Sequence, residues 1–222
     1  MRNTDGRRNL PGMRISGKQN AAEKNMQGCK EKSRMIETER LVLRPFSSDD
    51  FDLIYRIYSD EEVLRYTPFD PMNREQAAEH LQRVMQDWNQ DPYLSCEFAV
   101  DLKENGHGIG RAHILIDQET DTGMVGTLLL KKYWEKRFAT EIFEALIRHC
   151  FLELHLHRVN AVCSPENTAS WKAMERCGMR REALLVQKCR YVKNGVISWH
   201  DELEYAILAS EYEARVGMLR GK

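Results

Sequence analysis

The chain has 222 residues, 42% of them hydrophobic and 30% charged, with 33 basic against 34 acidic side chains and a formal charge of -1. That length buries one substantial core and favours one domain over two, while the balanced charge argues against a general nucleic-acid binder. No apolar run approaches the roughly 18 residues of a membrane span, and the N-terminus lacks the apolar core of about 7 to 15 residues that a secretory signal needs, so a cytoplasmic protein is expected.

Residues 1–34 are polar and basic, with almost no apolar periodicity. Such a segment buries too little surface to offset its ordering entropy and is expected to be a disordered extension, with a basic docking arm as the alternative. The folded domain is expected over 35–222. It opens on "IETERLVLRPF", where Leu41 and Leu43 alternate with polar positions as in a half-buried strand. Ser47 or Ser48 then caps a helix carrying Phe51, Ile54, Ile57 and Tyr58 at helical spacing. In a second helix Ala77, Leu81, Val84, Met85 and Trp88 form one stripe.

Three strands follow, "SCEFAV", "GRAHILID" and "GMVGTLLL", separated by turn signals and expected as an antiparallel meander. The longest helix is predicted over 138–154, broadly apolar, with Glu141, Glu144 and Arg148 on an outward stripe. "RVNAVC" reads as a strand. Asn167 is placed to cap a short helix that stops at Gly178. The remainder is a hairpin turning at Asn194-Gly195. The predicted class is α/β (α+β), in the order β-α-α-β-β-β-α-β-α-β-β.

Chemistry is sparse along this frame. The six cysteines (Cys29, Cys96, Cys150, Cys163, Cys177, Cys189) show no short pair and read as reduced, mostly packed thiols. His155 and His157 lack a third ligand at metal spacing, so no metal is assigned. Asp201 falls in phase with Trp199, Leu203 and Tyr205 on the last strand, which points a carboxylate inward as an acid-base group or ion-pair anchor. The alternatives are a bulge at "WHDE" that turns it outward, or a structural pair with Arg44. "CSPENTAS" sets Cys163, Ser164, Glu166, Asn167 and Ser170 between a strand end and a helix start, either as an ordinary capped turn or as a ligand contact.

The phrases "ETERLVLRPFSSDD", "YWEKRFATEI", "LHLHRVNAVCSPENTASWKAMERCGM" and "NGVISWHDELEYAIL", in that order, resemble the GNAT family of N-acetyltransferases. The likeness is to its RimJ/RimL-type branch, which acetylates ribosomal-protein N-termini, and to that branch's small-molecule relatives. The resemblance implies a GNAT fold: a mixed, mostly antiparallel sheet of about seven strands with helices on both faces. It also implies that acetyl-CoA enters where the fourth and fifth strands splay, with an amine as the second substrate and a monomer or homodimer as the assembly. Membrane and nucleic acid are not expected partners.

By motif position the resemblance puts backbone near Leu128 and Leu130 along the pantetheine arm. It puts Lys136, Arg137, Phe138, Ala139 and Thr140 at the pyrophosphate, and Asn167 on the arm. Ser170 would protonate the departing thiolate, also beside the cofactor. Asp201 and Glu166 are the candidate bases, with Glu97 behind them.

One departure stands out. Where the family commonly has glycine after a tryptophan and again at the principal loop position, this chain has Glu135 after Trp134, and Arg137; Ala139 fits. A side chain forced into a left-handed conformation costs about 1 to 2 kcal/mol. Against that, Arg137 and Lys136 offer charge-assisted bonds of about 1.5 to 3 kcal/mol. The loop therefore either still binds the cofactor, or marks a non-catalytic member that uses the cleft for acyl-CoA sensing or protein binding.

Overall fold

The structure, a computed structural model, describes residues 35–88 and 94–220; the basic extension and Cys29 lie outside the described residues. The strands are β1 (Ile36–Glu37), β2 (Leu41–Pro45), β3 (Ser95–Leu102), β4 (Gly108–Asp117), β5 (Thr122–Leu129), β6 (Arg158–Cys163), β7 (Arg180–Lys193) and β8 (Val196–Leu208). The helices are α1 (Phe51–Tyr58), α2 (Arg74–Asp87), α3 (Phe138–Leu152), α4 (Thr168–Arg176) and α5 (Ala209–Arg220).

All eight strands form one sheet in the order β1-β2-β3-β4-β5-β6-β8-β7. Every neighbouring pair is antiparallel except β5 and β6, which run parallel. The predicted meander is β3-β4-β5. Sequence reading gave about seven strands, and the eighth is β1. Thr38 N–H donates to the Leu41 carbonyl at 3.0 Å, while Leu41 N–H donates to Thr38 Oγ1 at 2.9 Å. The run read as one strand is thus folded into a small hairpin. A C-terminal helix, α5, was also not foreseen; its Tyr212 ring packs 5.3 Å from Phe151 of α3.

Side-chain alternation along a strand assigns the layers. Tyr58 of α1 and His80 of α2 reach Glu97 on β3, so these helices cover the face carrying Glu97. The opposite face receives α3, whose Cys150 stands beside Gly123 of β5. The core fills that second layer with Leu41, Leu43, Phe98, Ile114, Ile142, Phe143 and Leu146. The expected stripe of α2 is buried at Ala77, Leu81, Val84 and Trp88, and a capping box unrecognised in the sequence, Asn73 with Gln76, starts that helix. At the hairpin tip Asn194 and Gly195 have φ of 50° and 75°, the left-handed pair that a two-residue hairpin turn demands.

Candidate active site

Strands β5 and β6 pair only at Thr122↔Arg158, Gly123↔Val159 and Met124↔Asn160. Beyond that point residues 125–129 and 161–163 run on without pairing to each other, leaving a wedge with strand backbone on both walls. The splay expected of the fourth and fifth predicted strands lies here.

The register corrects one expectation about the wedge wall. Leu130 N–H donates to the Ile109 carbonyl at 2.9 Å and Leu130 O accepts from Tyr133 N–H at 2.9 Å, so its backbone is already engaged. Antiparallel pairs alternate between bonded and non-bonded positions, so Leu128, opposite Arg111, also turns its backbone toward β4. The groups facing the wedge belong to Val125, Thr127 and Leu129. Of these, Leu129 O accepts from the Trp134 indole at 2.7 Å. The wedge-facing backbone is thus one residue out of phase with the expected Leu128 and Leu130.

At the wide end, a 3-10 turn over Lys131–Tyr133 leads to α3. Glu135 and Arg137 have φ of 61° and 62°: both non-glycine residues adopt the left-handed conformation that glycine takes without penalty. The loop keeps the glycine shape at a cost of about 1 to 2 kcal/mol per residue. Arg137 is the N-cap, and Glu141 N–H to Arg137 O is the first helical bond. The amides of Phe138, Ala139 and Thr140 therefore have no partner within the helix and point along its positive dipole end. Lys136 and Arg137 are exposed beside them, and Phe138 is buried.

The loop is braced from β1–β2. Arg40 Nε and Nη2 lie 2.7 and 2.6 Å from Glu141 Oε2, and Arg40 Nη1 donates to the Lys136 carbonyl at 3.2 Å. The guanidinium carbon stands 4.3 Å from the Phe138 ring centre. Burial opposes the charge on Glu141, but Thr38 and Arg40 outweigh it and hold the carboxyl below its ordinary range. Sequence reasoning gave no role to Arg40 or Thr38, because the contact spans about a hundred residues and has no local period.

Across the wedge, Asn167 Oδ1 accepts from Ser170 N–H at 3.2 Å, the predicted N-cap. Burial pushes the Cys163 thiol up to about 11, with a hydrogen bond from Ser170 working the other way. Cys163 is thus a protonated thiol beside Ser170 rather than a nucleophile. Glu166 is exposed, and its N–H donates to Ser164 Oγ. Asp201 lies on the β7–β8 hairpin, where its Oδ1 accepts from Gln187 N–H at 2.8 Å. Gln187 has a φ of 50° inside a register break of β7, so this bond pins a bulge. Arg44, the alternative partner considered for Asp201, instead engages Asp50 and Asp101. His155 and His157 are exposed.

A polar cluster sits beneath α1 and α2. Glu97 Oε1 accepts from Tyr58 OH at 3.1 Å and lies 3.4 Å from His80 Nε2 and 3.7 Å from Arg111 Nε. Burial alone would raise Glu97, but Arg111 and His80 prevail and bring it to about 2. A carboxylate already engaged by Tyr58, His80 and Arg111 and held below its ordinary range is a poor base at neutral pH.

The comparisons agree with this geometry. A family model described as an acetyltransferase (GNAT) domain matches residues 40–180. An uncharacterized N-acetyltransferase of Bacillus subtilis, YnaD, is 32% identical over 80% of this chain and 98% of its own length. A crystal structure of a GNAT-family acetyltransferase from Bacillus anthracis superposes with a TM-score of 0.70 at 30% identity, covering 79% of this chain and 99% of that one. A spermidine N-acetyltransferase from Vibrio cholerae, solved with CoA and spermine, shares the fold at a TM-score of 0.68 and 19% identity, over 79% and 99% of the two chains. The chain belongs to the GNAT family, and it is an acetyltransferase.

Proposed function

We propose that the protein transfers the acetyl group of acetyl-CoA to a primary amine, either a protein N-terminus or a small molecule, by direct attack on the thioester. The observation that carries this is the wedge between β5 and β6 ending on a helix N-terminus whose entry loop holds two left-handed residues. Strand backbone at Val125 and Thr127 would pair with the amides of the pantetheine arm. The amides of 138–140, with Lys136 and Arg137, suit a pyrophosphate.

In the transfer, the amine nitrogen bonds to the acetyl carbon as the carbon–sulfur bond breaks. Ser170 supplies a proton to the sulfur and regains one from water, while the amine proton passes through water to Asp201 or Glu166. Asn167, whose side chain accepts from the Ser170 backbone N–H, fixes the start of the helix that bears Ser170.

The test is a calorimetric titration of the purified protein with acetyl-CoA, repeated on an Arg137→Gly variant. At ligand about 100 times its Kd the folded state gains roughly 2.7 kcal/mol, visible as a raised melting temperature. Binding by the natural protein supports the reading. No binding by the natural chain, with binding restored by glycine, would mean that Glu135 and Arg137 have closed the site.

A further inference from the structure

His113 lies on β4 directly opposite Gly126 of β5. A Cβ at Gly126 would stand 2.4 Å from His113 Cε1 and 3.0 Å from Nε2, so the absence of a side chain there lets the imidazole lie across β5. Gly126 is two positions past Met124, the last β5 residue paired with β6. The ring therefore reaches over the strand at the point where the wedge opens.

Its protonation is fixed by geometry. Arg111 Nη1 stands 2.5 Å from His113 Nδ1, and because a guanidinium only donates, Nδ1 accepts and the neutral ring carries its proton on Nε2. Burial, reinforced by Arg111, lowers the imidazole to about 3, so it stays neutral across the working pH range. Nε2 lies on the side of the ring away from that contact. The result is an oriented, uncharged donor over β5, near the point where β5 and β6 part. The polar cluster repeats the device at His80, whose Nδ1 lies 2.6 Å from Arg83 Nη2; there the Nε2 proton is spent on Glu97.

We propose that His113 Nε2–H donates a hydrogen bond to the thioester carbonyl oxygen and is a catalytic residue of this acetyltransferase. The inference rests on the cofactor placement proposed above. A neutral imidazole suits the task, since it stabilises charge developing on oxygen without giving up its proton.

The test is isotope-edited infrared spectroscopy of acetyl-CoA labelled with carbon-13 at the carbonyl and bound to the full chain, with Kd measured separately by calorimetry. In the natural protein the carbonyl band is expected below its frequency in solution. His113→Leu should return it most of the way, with Kd changed less than about threefold, and His113→Gln, which keeps a donor, should fall between. Thiol release at saturating acetyl-CoA with a primary amine supplied as acceptor should drop about 100-fold in His113→Leu, the scale of losing one such donor. Gly126→Ala, whose Cβ would displace the ring while keeping the imidazole itself, provides the same readout should His113→Leu fail to fold. An unchanged band in both variants overturns the role of His113 while leaving the cofactor site standing. No binding by the natural protein overturns both.

Discussion

Arg40 and Glu141 form an ion pair, with Nε and Nη2 at 2.7 and 2.6 Å from Oε2, that ties the β1–β2 turn to the first turn of α3. The Arg40 side chain is 43% exposed, so the pair itself adds little to stability. Its consequence is positional, because the same guanidinium holds the Lys136 carbonyl and covers Phe138. Arg40→Ala is therefore expected to weaken acetyl-CoA binding by about tenfold, the equivalent of about one net hydrogen bond, while the melting temperature moves little. Calorimetry paired with thermal unfolding checks this. A large thermal loss with unchanged affinity would make Arg40 a stabilising residue only.

Strain in the loop makes a separate, signed expectation. Relieving a left-handed side chain recovers about 1 to 2 kcal/mol, and the greater freedom of glycine in the unfolded chain returns about 0.5 to 1 kcal/mol of that. Glu135→Gly and Arg137→Gly should thus leave the melting temperature level or raise it by about 2 to 4 °C. Their effects on acetyl-CoA should differ in sign. Losing Glu135 removes a repulsive charge and tightens binding, whereas losing Arg137 removes an attractive one and flattens the salt dependence. A melting temperature lowered in both variants would contradict the strain.

Much of this architecture is legible in the sequence because it has a short period. The stripe of α2, the Asn167 cap, the Asn194-Gly195 turn and the β3-β4-β5 meander each follow from residues within a few positions of one another. The site is less legible because its decisive contacts join separate segments: Arg40 meets Glu141, and His113 of β4 meets Gly126 of β5. The phase of the wedge wall was missed at Leu128 and Leu130 because a motif places a strand without fixing which carbonyls its neighbour consumes. Helix α5 escaped because its helicity comes from packing, as at Tyr212 against Phe151, rather than from a periodic stripe.

The polar cluster makes the fold acid-sensitive in a defined window. His113 is lowered from 6.5 to about 3, so the unfolded chain takes up a proton as the pH falls through 6.5 while the folded chain does not. Stability is lost progressively from there toward 3. Glu97, lowered from 4.5 to about 2, contributes stability present above 4.5 and lost as pH falls toward 2. Between about pH 7 and about pH 5 the histidine dominates. Melting temperature should therefore drop over that interval, and His113→Gln should flatten the drop. A residual slope is expected from His149, which burial also holds below its ordinary value. An identical slope in the variant would mean that His113 is not the group responsible.

Asn167 and Ser170 are one unit, since the Asn167 side chain caps the helix at the Ser170 amide. Asn167→Ala should cost about 0.5 to 2 kcal/mol of stability and weaken acetyl-CoA binding. Asn167→Asp should restore the cap but not the neutral amide donor. Ser170→Ala leaves the backbone bond intact, so stability should hold while turnover falls more than affinity. An unaltered rate in Ser170→Ala would assign the sulfur's proton to another donor, with the protonated Cys163 thiol, hydrogen-bonded to Ser170, the first to examine.

The choice of base reduces to two carboxylates with different surroundings. Asp201 Oδ1 holds the Gln187 amide of the β7 bulge, and an asparagine keeps an oxygen able to accept that bond. Asp201→Asn therefore removes the charge while preserving the bulge, and the melting temperature should hold. If Asp201 takes the amine proton, turnover should fall by about 100-fold or more, with acetyl-CoA affinity unchanged. Glu166→Gln is the parallel variant on an exposed side chain, expected to be silent in stability and, on this assignment, nearly silent in rate. The reverse pattern would give the role to Glu166, and no change in either would mean that solvent water takes the proton without a carboxylate. A stability loss in Asp201→Asn would instead show that the bulge needs the negative charge, making Asp201 a structural residue of the hairpin.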